Sequence, residues 1–85
     1  SSAASDVYKR QILYDKERLK DAIQLAMEFR GKDKNTQILQ KASDKSLEFY
    51  VDYGKRSLAG SMLYLRSKGD VQMVNLMTGE EKIVG

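Results

Sequence analysis

Neither cysteine nor histidine occurs anywhere in the 85 residues, and no other feature of the chain limits its fold so firmly. Disulfides and Cys or His zinc sites, the usual staples of small domains, are closed to it. A domain this short buries only a modest share of its surface. Stability therefore has to come from one thin core of packed aliphatic and aromatic side chains. The same absence removes whole classes of function, because Ser-His-Asp triads, thiol nucleophiles and His/Cys metal centres cannot be assembled. No GxxxxGK[ST] or GxGxxG loop offers a phosphate cradle, and the Glu80–Glu81 pair reads as a solvated turn. The expectation is a binding module and not an enzyme, with no cofactor and no metal.

No apolar run approaches the roughly 18 residues of a membrane span, and no apolar stretch of a secretory signal opens the chain. A cytoplasmic monomer is expected. The 15 basic and 12 acidic residues give a net charge of +3 and a pI near 9.2, but the two signs alternate along the chain. That mixture describes a solvated surface better than a phosphate-binding stripe, so nucleic acid is set aside as the leading partner. The segment SSAASDVYKRQ, residues 1–11, resembles the translation of a transposase adapter used in sequencing libraries and is read as a non-native tail. Without it the chain carries 13 basic and 11 acidic residues, a net charge of +2. Residues 12–85 are read as the domain, incomplete at one or both ends.

Along that domain, Leu19, Ala22, Ile23, Ala26 and Met27 recur at the helical period, predicting a helix over 15–30. Asp15 is its expected N-cap, and Arg30–Gly31 its stop. Residues 36–42 and 47–53 read as an antiparallel hairpin, since Leu47, Phe49, Val51 and Tyr53 alternate with Glu48, Tyr50 and Asp52. A helix across 36–53 also fits Ile38, Leu39 and Ala42. Ser57 is the expected N-cap of a second helix bearing Leu58, Ala59, Met62, Leu63 and Leu65, with Lys68–Gly69 at its end. Gly60 there costs about 1 kcal/mol relative to alanine and calls for a close neighbour. Residues 70–76 read as a strand, Thr78–Gly79 as a turn, and 80–85 as a helix start or a short return strand. With a strand ending at Ile12–Leu13 in front, the reading is an α+β, open-faced sandwich of order βαββαβ: an antiparallel sheet with helices on one face.

The run GKRSLAGSMLYLRSKG, residues 54–69, resembles the second helix of the HPr family, the phosphocarrier proteins of the bacterial sugar phosphotransferase system. Arg56, Ser57, Leu58, Ala59, Gly60, Met62, Leu63, Lys68 and Gly69 fall in that frame, and AIQLAMEF, residues 22–29, is similar to part of the family's first helix. The resemblance covers about Ile12 to Glu81. It implies a divergent member with Asp15 where the family carries its phosphorylated histidine, and with the C-terminal helix missing or begun only at Glu80.

What the resemblance implies is a binding or regulatory protein that does not relay phosphate through histidine. Ser57 would be its regulatory phosphorylation site, and Arg56, Leu58, Ala59 and Met62 the contact patch for protein partners of the phosphotransferase system or its regulatory kinase. Phosphate on a serine at a helix N-terminus would sit well with the helix dipole. The alternative is a small basic α+β module that binds nucleic acid, with Tyr50 and Tyr53 stacking bases on the sheet. A third reading is a fragment of an enzyme whose catalytic residues lie elsewhere.

Overall fold

The computed structural model describes residues 9–31 and 35–84. Strand β1 (Lys9–Tyr14) leads through a short 3-10 turn (Lys16–Arg18) into helix α1 (Leu19–Arg30), followed by β2 (Thr36–Gln40), helix α2 (Leu47–Arg56), β3 (Ala59–Leu65), β4 (Val71–Asn75) and β5 (Glu81–Val84). The sheet order is β2-β1-β3-β4-β5. β1 runs parallel to both β2 and β3, while β3–β4 and β4–β5 are antiparallel. The α+β class and the layering of helices on a single sheet are as the sequence implies. The sheet is mixed, however, and not the antiparallel one expected, and its two helices pack on opposite sides rather than on one face.

Two parallel crossovers leave in opposite directions: β1 to β2 on one side, then β2 back across β1 to β3. Right-handed connections of that kind carry their helices to opposite sides of a sheet, and the side chains divide accordingly. Ile12, Tyr14, Leu63 and Leu65 pack with Ala22 and Ala26 of α1. Leu13, Met62 and Val74, whose side chains point the other way along their strands, pack with Tyr50 of α2. The small Ala22 and Ala26, both fully buried, let α1 approach the sheet closely.

Three local expectations need correction. Residues 47–53 belong to α2 and not to a strand. Ser46 caps the helix, its Oγ accepting from the Phe49 amide, and Leu47, Tyr50, Val51 and Gly54 turn inward at i, i+3, i+4 and i+7 while Phe49 and Tyr53 stay exposed. The residues 36–40 do form a strand, but its partner is β1 in parallel, so there is no hairpin.

The third correction is the segment headed by Ser57, which runs as strand β3. It is a central strand covered on both sides, and such strands read as unbroken apolar runs, which is how its pattern came to match a helix. Gly60 lies in β3 at a register shift against β1, so no helix bears its cost. Towards the C-terminus the 70–76 strand appears as β4. Gly79 adopts φ +85° in the turn that follows, and the return-strand option for 80–85 is β5. Residues Lys9–Gln11 enter β1, with Gln11 buried and its amide donating to Tyr50 O and Met62 Sδ.

A candidate nucleic-acid interface at the switch point

Adjacent parallel strands whose following loops leave to opposite sides of a sheet open a crevice at their carboxyl ends, where ligands of open α/β sheets bind. β1 and β2 are such a pair. The loop after β1 turns to α1 and the loop after β2 turns to α2, and between them lies a crevice of about 270 Å³ lined by Asp15, Lys16, Glu17, Gln40, Lys41, Ala42 and Ser43.

The turn joining β3 and β4 is tied to this edge. Asp15 Oδ1 accepts from the Tyr64 hydroxyl at 2.7 Å and Oδ2 from the Ser67 amide at 2.8 Å. Arg18 Nη1 donates to the Arg66 carbonyl at 2.6 Å and to the Asp70 carbonyl at 3.3 Å, while its Nε pairs with Asp21. Arg66 and Asp70 form an ion pair. Burial, followed by the Asp15 hydrogen bond and charge, pushes the Tyr64 hydroxyl well above the usual tyrosine range, so it remains a neutral donor across the physiological range.

These bonds leave an uneven charge balance. Asp15, Asp70, Arg18 and Arg66 are engaged with one another's loops, whereas the side chains of Lys16, Lys68 and Glu17 make no hydrogen bond among the described residues. Lys41 Nζ donates to the Lys45 carbonyl at 2.7 Å, which fixes its ammonium without neutralising it. Lys45 Nζ lies 5.0 Å from the centroid of the Phe49 ring, and that ring is 46% exposed in the first turn of α2. Lysines and an exposed aromatic ring thus share one edge with a small polar crevice. The larger concavity, about 510 Å³ on the α1 side of β3–β5, has an apolar floor at Leu63 and Met73 and a rim of Arg10 and Lys82 opposed by Glu80 and Glu81. No loop from a parallel strand end converges there.

The residues singled out in the sequence scatter. Asp15 does lie beside the switch-point crevice, but its carboxylate holds the β3–β4 turn and makes no cap bond to the helix. Ser57 is the C-cap of α2, its Oγ donating to the Tyr53 carbonyl at 2.8 Å. A phosphate there would face the negative end of the dipole, the reverse of the expected arrangement. Arg56 and Leu58 are exposed, Leu58 with φ +63°, whereas Ala59 and Met62 are buried. No continuous contact patch joins these residues. Tyr50 is a core residue whose hydroxyl accepts from the Ala42 amide, which removes it from base stacking, and Tyr53 lies on α2 and not on the sheet. Sequence reasoning passed over Lys16, Lys41, Lys45, Lys68 and Phe49, since only the parallel topology brings their loops together.

No protein-family model matches the chain, and no curated protein matches it. Solved structures do. A histidyl-tRNA synthetase from Nostoc sp. PCC 7120 superposes with a TM-score of 0.74 at 10% identity, over 92% of this chain and 19% of that one. The apo histidyl-tRNA synthetase of S. aureus gives 0.62 at 12% identity, over 91% and 20%. The RNA binding domain of threonyl-tRNA synthetase from Cryptosporidium parvum Iowa II gives 0.64 at 10% identity, again over 91% and 20%. The chain thus spans about a fifth of the length of each, and at such identities the likeness is one of fold.

That fold overturns the HPr resemblance, because the stretch that carried it is strand β3 where the family has a helix. The phosphotransferase-system partners and the regulatory role inferred from the resemblance fall with it. Setting nucleic acid aside is corrected too, since an RNA binding domain stands among the structural neighbours.

Proposed function

We propose that the chain is an RNA-binding module, with tRNA as the RNA class, working by binding rather than catalysis and in the cytoplasm. The observation that carries this reading is the meeting of two things: a fold similar to the RNA binding domain of a threonyl-tRNA synthetase, and a lysine-bearing edge beside a crevice at the switch point of that fold. In this reading Lys16, Lys41, Lys45 and Lys68 contact phosphates, which position the RNA without reading its sequence. Phe49 supplies a stacking surface of the kind that single-stranded nucleotides use. The nearly balanced charge of the whole chain is no objection, because across the three loops of this edge Lys16, Arg18, Lys41, Lys45, Arg66 and Lys68 outnumber Asp15, Glu17, Asp44 and Asp70, and it is the local excess that attracts phosphate. No helix among the described residues is long and apolar enough to cross a membrane, in keeping with the cytoplasmic setting.

The test is retardation of a tRNA across a series of salt concentrations. Binding should weaken steeply with salt, and Lys16→Gln and Lys68→Gln should each lower the log–log slope by roughly 0.7 to 0.9. Phe49→Ala should cost about 1–3 kcal/mol of binding with little change in thermal stability. An absence of retardation at low salt would remove the proposal, as would lysine variants that bind with an unchanged slope.

A further inference from the structure

We propose that the switch-point crevice receives a single unstacked guanine nucleotide, which deepens the RNA-binding reading and rests on it for its biological setting. Its volume of about 270 Å³ lies just below the roughly 300–1,000 Å³ of drug-sized pockets. That suits one base with part of its sugar and is too small for a paired stem.

The lining selects the base. Both Asp15 oxygens already accept hydrogen bonds, from the Tyr64 hydroxyl and the Ser67 amide. The Glu17 side chain is exposed and makes no hydrogen bond among the described residues, so it is the lining carboxylate with both oxygens open to a ligand. A carboxylate accepts two parallel hydrogen bonds, and among the RNA bases only guanine presents two neighbouring donors, N1–H and the N2 amino group, on its Watson–Crick edge. Adenine and cytosine put a donor beside an acceptor there, and uracil puts a donor between two acceptors, so each would set a lone pair against the Glu17 oxygens. Lys16 and Lys41 line the same crevice and supply the positive charge for the nucleotide's phosphate. Lys41 is preset for this by its bond to the Lys45 carbonyl. The hub of Asp15 and Arg18 contributes indirectly, by holding the β3–β4 turn against the loop that carries Lys16 and Glu17.

The experiment is a titration of the isotope-labelled chain with GMP, AMP, CMP, UMP and inorganic phosphate, followed by amide chemical shifts. GMP is expected to move the amides of Lys16, Glu17, Lys41 and Ala42 and to bind at least fivefold more tightly than the other nucleotides, with phosphate alone weaker still. Glu17→Gln should lose that preference, roughly tenfold being the scale of one two-pronged base contact, while keeping weak phosphate-driven binding. Ser43→Trp, which fills the crevice from its rim, should abolish the GMP response.

Equal response to all four nucleotides overturns the proposal, and so does a response centred on Ser61 and Met73 in the larger concavity. The RNA reading fails separately: a chain that retards no tRNA yet shows the GMP pattern keeps the crevice and loses its setting. One that retards tRNA with a silent crevice does the reverse.

Discussion

Helix α2 and strand β3 follow one another in the chain, and both are rich in aliphatic and aromatic residues, yet one coils and the other extends. In α2 the large side chains at Leu47, Phe49, Val51 and Tyr53 alternate like those of a strand, but Phe49 and Tyr53 are spent on solvent and the buried set is Tyr50 and Gly54. In β3 the spacing of Ala59, Met62, Leu63 and Leu65 mimics one face of a helix because both sides of the strand are covered, Leu63 and Leu65 by α1's cluster and Ala59 and Met62 by α2's. Local period reports how many sides of an element are buried as much as it reports the element itself.

The comparison breaks most visibly at Met62. Its side chain is fully buried and receives the Gln11 amide at 3.3 Å. On a helix surface the same methionine would be a half-exposed contact whose loss costs little. As a central-strand residue, Met62→Ala should destabilise the domain by about 2–5 kcal/mol, read as a fall in the midpoint of urea unfolding at unchanged slope. A loss below about 1 kcal/mol would mean that β3 is not the buried strand between the two helices.

How far the sequence could be read follows the same division. The helix over 19–30 was legible from its period, but its buried side was misplaced by part of a turn: Ala22 and Ala26 pack against the sheet with Leu25 and Phe29, whereas Leu19, Ile23 and Met27 are exposed. The strand 71–75 and the Thr78–Gly79 turn were legible for similar local reasons: Gly79 takes the left-handed backbone, and Asn75 Oδ1 accepts from the Met77 and Thr78 amides. The strands β1 and β2 were each visible, but their parallel pairing was not, because it depends on the helix between them crossing over the sheet. The candidate site was hidden for that reason. Lys16 and Lys41 stand far apart in sequence and come together only through that parallel register, and no motif at fixed spacing announces them.

The close packing of α2 on the sheet gives a second, smaller test. A methyl group added at Gly54 would lie 2.8 Å from Leu76 Cδ1 and 3.4 Å from the Gln11 side-chain oxygen. On an exposed helix, Gly→Ala gains about 1 kcal/mol from propensity, whereas overpacking a tight contact costs about 1–3 kcal/mol. Gly54→Ala should therefore be destabilising by about 1 kcal/mol, measured by thermal or urea unfolding. A stabilised Gly54→Ala would show α2 free to move off Leu76.

The smallest expected effect lies at the joint between the two elements and has the opposite sign. Leu58 takes φ +63° directly after the Ser57 C-cap, with its side chain 72% exposed. Helices commonly end through such a left-handed residue, and glycine is its usual occupant. A β-carbon in this region costs roughly 1–2 kcal/mol, while glycine forfeits about 0.5–1 kcal/mol through the freedom it adds to the unfolded chain. Leu58→Gly should therefore stabilise the domain by about 0.5 kcal/mol, and Leu58→Ala, which keeps the β-carbon, should bring no such gain. Were the segment a helix headed by Ser57, the glycine would sit in its first turn and cost stability instead. The sign of this one substitution, read in the same unfolding assay, thus separates a chain that ends a helix at Ser57 from one that begins a helix there.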